Sequence, residues 1–402
     1  MLPKPSKHPL FNCGKLDCPV CMKAYSVIQL KKRFSKEHYS TQGVAPFIGR
    51  FWYPAVQAGV FAPPESFDES WKLDAPRQWA ADSLALGKIV EYRSSLMNSR
   101  SAVHVRETGA RARSIMDLQE ISMASKPVDV EIELKKRPFF RINTDSYIAP
   151  SGPVAQLKEM DITSNPKIPV HIEKVYNDID LKAADALGYL QKHGYDETYL
   201  MRVFSTGVMG MKKDRKMVPT RWSITATDST LGNHIVKQIK DCPVGGYQAY
   251  FGGYLGNYFL VLVFPDVWQY ELFEMLAGSS HYTTDFEPYD GRKSYVEETA
   301  GGFYASRLAV LEKLKDMKRQ GSCLVLRFIT GDYLVPLGVW VVREAVRKTM
   351  MGGPLTFSSK ELLMSYAKAV AKRKFNYDIE PILGRSRLLA DVSNQAKLGR
   401  YL

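Results

Sequence analysis

Gly246-Tyr-Gln-Ala-Tyr-Phe-Gly-Gly-Tyr-Leu-Gly-Asn-Tyr-Phe-Leu-Val-Leu-Val-Phe264 carries a strong fold signal. Gly252-Gly253-Tyr-Leu-Gly256-Asn257 is a turn-forming cluster, and aromatic and β-branched residues flank it. The spacing predicts a hairpin over 246–264, with Tyr258–Phe264 as a strand. The apolar stretches Tyr258–Pro265 and Leu334–Val342 are too short to span a bilayer.

Outward from this hairpin, Met201–Phe204, Trp222–Thr227 and Cys323–Phe328 also read as strands. Val128–Leu134 alternates apolar and charged residues, as a half-buried strand does, and Pro138 ends it. Tyr25–His38, Ala75–Met97, Asp180–His193, Phe303–Lys318, Val339–Met350 and Ser359–Lys374 read as helices. Gly194 closes the third of these. Residues 41–70, rich in Pro, Gly and aromatics, read as irregular but ordered. Strands and helices mix without strict βαβ alternation. The expected fold is therefore mixed α+β, with a mixed sheet flanked by helices. A length of 402 residues favours two domains over one.

The chain carries a net charge of +13, with 45% hydrophobic and 24% charged residues, an ordinary globular composition. Residues 1–45 hold eight Lys/Arg against two Asp/Glu; residues 360–402 hold nine against four. The two ends thus contribute +6 and +5, and the middle is nearly neutral. Basic ends on a neutral body suit contact with phosphate backbones; solubilising Lys-rich faces are the plainer alternative. The first residues lack the apolar core of a signal peptide. A soluble, intracellular protein is expected.

Of five cysteines, Cys13, Cys18 and Cys21 fall together in NCGKLDCPVC. Cys18-Pro-Val-Cys21 lets two thiolates reach one ion, and Cys13 adds a third at C-x4-C spacing. Zn(2+) with His8 as fourth ligand, or His38 after it, is the metal reading. A redox C-x-x-C pair and an unliganded thiol cluster are the alternatives. The site would act as a staple, since residues 1–22 are too rich in Pro, Lys and Gly to fold alone. Cys242 and Cys323 are isolated and read as buried apolar residues.

The last eight residues, Gln395-Ala-Lys-Leu398-Gly-Arg-Tyr401-Leu402, follow the pattern Q-x-x-L-x-x-Y-L. This resembles the sliding-clamp binding peptide, the PCNA-interacting (PIP) box. One helical turn puts Leu398, Tyr401 and Leu402 on one side as an apolar plug. Gln395 can hydrogen-bond at the rim. Leu402 stands where a second aromatic is usual, which implies a weaker grip. A chain end docked on the protein's own core is the alternative.

Three segments resemble the archaeal Nre family: Arg215-Lys-Met-Val-Pro219-Thr-Arg221-Trp222-Ser-Ile-Thr-Ala-Thr-Asp228, Gly301-Gly-Phe-Tyr304-Ala-Ser-Arg307-Leu-Ala-Val-Leu-Glu312 and Tyr333-Leu-Val-Pro336-Leu-Gly338-Val-Trp340-Val-Val-Arg343-Glu344-Ala-Val-Arg347. Pro46-Phe-Ile-Gly49-Arg50-Phe-Trp-Tyr-Pro54 and Asn165-Pro-Lys-Ile-Pro169 add to them. The resemblance implies DNA-damage repair in archaea, a clamp partner reached through the tail, and a zinc-binding N-terminal segment. It also implies a cytoplasmic, nucleoid-associated protein. Some members carry a C-x2-C further upstream, whereas here only His8 precedes Cys13. The expected division is a zinc-binding segment at 1–45, an Nre N-terminal-type domain at 46–290, an Nre C-terminal-type domain at 291–390 and a flexible PIP-box tail at 391–402.

The family-like motifs are dense in Arg and aromatics. Arg215, Lys216, Arg221, Trp222, Arg307, Arg343 and Arg347 are candidate nucleotide or phosphate ligands, because guanidinium groups fork onto phosphates and aromatics stack bases. Internal ion pairs, Arg343 and Arg347 with Glu344 or Arg221 with Asp228, are the alternative. Asp285, Glu287, Asp290, Glu297 and Glu298, with His281, fall in a segment that reads as a loop. They suit a metal nuclease or a solvated loop. No P-loop, nucleophile elbow or HExxH is present. A nucleotide- or nucleic-acid-processing enzyme and an RNA-associated protein therefore stand behind the clamp-tethered repair reading.

Overall fold

The computed structural model describes Cys13, Cys18, Cys21, residues 24–25, 27–29, 31, 37–109, 112–138, 140, 151–333 and 335–394. Two compact units result. The first takes in the described residues up to Thr230, with 335–337. The second runs from Leu231 to Tyr333 and resumes at Gly338. Each is built on its own six-stranded mixed sheet flanked by helices, the expected fold class.

In the first unit, β1 (His38–Gly43), β2 (Ala45–Ile48), β3 (Ala55–Ala62), β4 (Met97–His104), β5 (Val128–Leu134) and β6 (Val154–Ile162) line up as β1-β5-β6-β4-β3-β2. Only the β4–β6 pairing is parallel. β5 shows why these residues make a strand: Val128, Val130, Ile132 and Leu134 turn into the core while Asp129 and Glu131 face solvent. Between β3 and β5 lie α1 (Pro76–Ala81), α2 (Leu86–Ser94) and α3 (Ala112–Met123). Ile115, Leu118 and Ile121 of α3 seal the core over the sheet. After β6 come α4 (Val170–Asn177), α5 (Ala183–Lys192), α6 (Glu197–Ser205) and the first half of α7 (Thr220–Ile239), whose residues from Leu231 on belong to the second unit.

Four local expectations for this unit are corrected. Residues 41–70 hold strands, not irregular chain; the small residues of β3 disguise it. Gly59 there lies so close to β4 that a Cβ would stand 1.9 Å from the Ser99 carbonyl oxygen. Ala75–Met97 is two helices and a strand start, broken at Ser83, which adopts φ 52°. Met201–Phe204 lies inside α6, whose cap Asp196 accepts from the Tyr199 N–H at 2.9 Å. Trp222–Thr227 belongs to α7: its β-branched residues suggest a strand, but Ser223, Thr227, Leu231, Ile235 and Ile239 are buried at four-residue spacing. The buried face of α7 begins with polar residues, so hydrophobic period alone could not find it.

Asp117 on α3 is buried, and its Oδ2 has no hydrogen-bond partner among the described residues. Burial pushes its carboxyl up to about 6, while Arg113 pulls it down. The folded pKa exceeds the unfolded value of about 3.9. Its stabilising contribution is therefore fully present below about pH 4 and is lost as pH rises through about 6. Asp117→Asn is expected to raise stability by about 1–2 kcal/mol near neutral pH and to change little near pH 4. Thermal melts at the two pH values check this; an equal gain at both would contradict it.

In the second unit, β7 (Tyr247–Tyr254), β8 (Asn257–Phe264), β9 (Gln269–Leu276) and β10 (Tyr282–Glu287) precede α8 (Ala300–Asp316) and β11 (Ser322–Ile329). Then follow α9 (Trp340–Met351), β12 (Leu355–Phe357), α10 (Lys360–Phe375), α11 (Glu380–Leu383) and α12 (Arg387–Asn394). The sheet order is β10-β9-β11-β8-β7-β12. β7 and β8 form the expected hairpin, closed by Leu255 and Gly256 at φ 50° and 72°. Two left-handed residues match the twist of adjoining strands. Gly256 also leaves room for the Tyr333 N–H, which a Cβ would approach to 2.5 Å.

Both faces of this sheet are covered, which explains the long apolar runs of β8 and β11, the latter interrupted by Arg327. Leu260, Leu262, Phe273, Leu324 and Leu326 pack with Leu363 and Ala367 of α10 and Leu388 of α12. On the opposite face Tyr270 OH lies 2.6 Å from Ser306 Oγ on α8, and the Tyr270 and Phe303 rings meet edge-on.

Helix α12 is fastened by a residue of the sheet. Glu271 on β9 is buried and accepts the N–H groups of Arg387 and Leu388 at 3.0 and 3.1 Å, as well as the Ser386 hydroxyl. Ser386 Oγ in turn accepts the Leu389 N–H at 3.0 Å. The three leading N–H groups of the helix, which have no intrahelical partner, are thus all satisfied.

Candidate functional site

The knuckle near the N-terminus gathers three sulfurs. The Sγ atoms of Cys13, Cys18 and Cys21 all lie within 4.8 Å of one another. Cys13 and Cys21 are 3.7 Å apart, far beyond the roughly 2.05 Å of a disulfide. Tetrahedral zinc with Zn–S of about 2.3 Å sets sulfurs about 3.8 Å apart. Cys18 is buried and the other two half-buried. The described residues from Cys21 to Lys31 are helical, with Ala24 and Val27 buried. Tyr25 and Gln29 line a cleft with Pro63–Phe67 and Tyr92, so this helix rests on the first unit. The helical reading to His38 ends early, because His38 opens β1. His38 Nε2 lies 3.8 Å from the Glu131 carboxylate. His8 lies outside the described residues, as do Gln395, Leu398, Tyr401 and Leu402. Cys323 is buried, and burial pushes its thiol up; Cys242 is half-buried rather than buried.

The basic candidates divide by unit. In the first, Arg215 is spent on the protein itself: its guanidinium donates to the carbonyls of Gly210, Tyr176 and Asp178, each at 2.7 Å. Lys216 and Arg221 are exposed and have no ion-pair partner among the described residues. The alternative pairing of Arg221 with Asp228 is corrected accordingly, since Asp228 is buried and Arg221 is not. Trp222 is 45% exposed, and its ring lies 5.1 Å from that of Tyr53. Lys216 Nζ sits 6.0 Å above the same tyrosine.

In the second unit, Arg307 on α8 is buried against Glu287 of β10, with Nη2 2.7 Å from Oε1 and 3.0 Å from Asn233 Oδ1. Arg347 forks onto Glu312 through two bonds of 2.8 Å and reaches Glu344 at 2.6 Å. Arg343 is buried on α9. The segment expected to be an acidic loop is partly strand. Asp285 on β10 accepts the N–H groups of Glu297, Glu298 and Thr299 at 2.8–3.0 Å, and Arg292 lies 3.6 Å away. Burial pushes its carboxyl up, but these donors outweigh that and hold it below the usual range. Among the described residues, the three cysteines form the one group of three or more His, Cys, Asp or Glu donors placed to share an ion.

Sequence reasoning passed over Phe51, Trp52 and Tyr53 as site residues. The signal was the run Arg50-Phe-Trp-Tyr-Pro54, three aromatics beside a cation. No helix among the described residues is long and apolar enough to cross a membrane.

These features define a two-unit α+β protein with a cysteine centre at its N-terminal end. The chain belongs to the archaeal Nre family: the family models "Archaeal Nre, N-terminal" and "Archaeal Nre, C-terminal" match residues 12–283 and 287–401. It is 35% identical over 326 residues to DNA repair protein NreA of Haloferax volcanii, covering 77% of this chain and 78% of that one. It is 33% identical over 386 residues to DNA repair protein NreA of Archaeoglobus fulgidus, covering 94% and 95%. DNA repair protein NreB of the same organism is 34% identical over 324 residues, covering 78% and 80%. No solved structure matches the chain.

Proposed function

We propose that this protein acts in DNA repair, is brought to DNA by the sliding clamp PCNA, and contacts DNA itself. The observation that carries the role is its likeness to relatives named as DNA repair proteins, over nearly its whole length in one case. The clamp is inferred from Gln395, Leu398, Tyr401 and Leu402. Tethering raises the local concentration of the body near a loaded ring, so a weak tail suffices. Lys216, Arg221 and Trp222 face solvent and are the candidates for DNA contact, whereas Arg215, Arg307 and Arg347 bond within the protein and Arg343 is buried. Its place of work would be the nucleoid.

The test is calorimetric titration of the host clamp with the full chain and with a variant ending at Asn394. Micromolar binding by the full chain alone is expected, and binding by neither would remove the clamp from this reading. We also infer that the cysteines hold zinc, with His8 or water completing the shell. Purified protein is expected to carry one equivalent of zinc, and Cys18→Ser to lose it together with the helicity of the described residues between Cys21 and Lys31. Metal analysis with circular dichroism decides; full zinc content in the variant would contradict it.

A further inference from the structure

We propose that the tip of the β2–β3 hairpin and the start of α7 form a stacking platform for unpaired bases of a DNA strand, a reading that rests on the proposed DNA contact and specifies it. Large aromatic side chains normally lie inside a protein. Here Phe51, Trp52, Tyr53 and Trp222 are 67%, 77%, 37% and 45% exposed, within one unit. They are adjacent as well as exposed. The Phe51 and Trp52 rings lie 6.4 Å apart, and Tyr53 and Trp222 5.1 Å apart.

The platform is also held in place. Gly49 N–H donates to Gln57 O at 2.7 Å and Ala55 N–H to Trp52 O at 2.9 Å, which closes the hairpin tip. Ile48 N–H donates to Thr220 Oγ1 at 3.0 Å, which ties the hairpin to α7 two residues before Trp222. Trp52 adopts φ 62°, a conformation that bulky side chains rarely take, and it leaves the indole outside. Rigid support under exposed rings is how loops are made into binding surfaces.

The charge selects the partner. Arg50 lies 5.0 Å from the Phe51 ring and Lys216 6.0 Å from the Tyr53 ring, while Arg221 adjoins Trp222. None of the three has an ion-pair partner among the described residues, so each can meet an anion. Aromatic faces interleaved with unpaired cations match a strand whose bases are unstacked and whose phosphates alternate with them. In a duplex the bases are already stacked and only the phosphates remain available to such a surface. An apolar protein segment would gain nothing from the cations.

The experiment is fluorescence anisotropy of labelled oligo-dT, oligo-rU and a duplex with the full-length protein at one salt concentration. Trp52→Ala and Trp222→Ala are compared with Trp71→Ala, an exposed tryptophan outside the platform. Each platform variant is expected to weaken oligo-dT binding by roughly 5- to 100-fold, with duplex binding nearly unchanged and Trp71→Ala neutral. Circular dichroism melts establish that the variants fold, and the milder Trp52→Phe is expected to keep most of the affinity. Three results would overturn the proposal: oligo-dT binding unaltered by either substitution, equal losses on duplex, or tighter binding of oligo-rU. Failure of the wild-type protein to bind any DNA would instead remove DNA contact altogether.

Discussion

Arg307→Met lowers the unfolding free energy of the second unit by about 3–5 kcal/mol, the expected cost of leaving a buried carboxylate without its partner. Glu287 takes its countercharge from Arg307 and its other hydrogen bond from Trp268 Nε1 at 3.2 Å. Both side chains are about 5% exposed, so water cannot replace the guanidinium. The penalty comes from the stranded charge more than from the lost bond. The double variant Arg307→Met with Glu287→Met should therefore recover much of the loss. Denaturant titration followed by tryptophan fluorescence measures both, with Trp268 beside the pair as a reporter. A single variant as stable as the wild type would mean that Arg307 is not the structural partner of Glu287, and would return it to the pool of phosphate ligands.

Glu271→Ala is expected to cost about 2–3 kcal/mol and to release α12 before the rest of the unit unfolds. Removing the carboxylate strips partners from the Arg387 and Leu388 N–H groups and from the Ser386 hydroxyl together. It also removes a negative charge from the positive end of the helix. Leu388 and Leu389 still favour burial, so the helix loosens without leaving wholly. Hydrogen exchange should show amides of 388–393 exchanging much faster while those of β8 and β11 stay protected. Glu271→Gln keeps one acceptor and should fall between. Unchanged exchange at 388–393 in Glu271→Ala would show that apolar packing alone fixes the helix.

The fold was legible where local chemistry and burial agree. The β7–β8 hairpin, β5, β11, α8, α9 and α10 follow from periodicity and turn residues. β9 escaped because Glu271 and Glu274 interrupt its apolar pattern, and both are charges whose partners lie far along the chain: Ser386 and Arg327. α7 escaped because its buried face opens with Ser223 and Thr227. The site was legible in the same degree. C-x4-C-x2-C spacing identified a sulfur cluster correctly, since ligands close in sequence are close in space. The arginines could not be sorted by sequence: Arg215 and Arg221 stand in one motif, yet one clamps carbonyls and the other faces solvent. Nor could sequence pair Tyr53 with Trp222, which tertiary structure alone brings together.

For a clamp-bound chain, the capping of α12 by Glu271 would set a swing radius. Leu398 is four residues beyond Asn394, and an extended chain covers at most about 3.6 Å per residue. If the clamp grips Leu398, it does so within roughly 14 Å of Asn394, the far end of a two-turn helix whose first turn is fixed to the sheet. Such a mooring would allow little rotation of the body around the ring, so that the face offered to DNA would be chosen by the fold rather than by diffusion. Residues added after Asn394 would slacken it, preserving the grip while losing the heading.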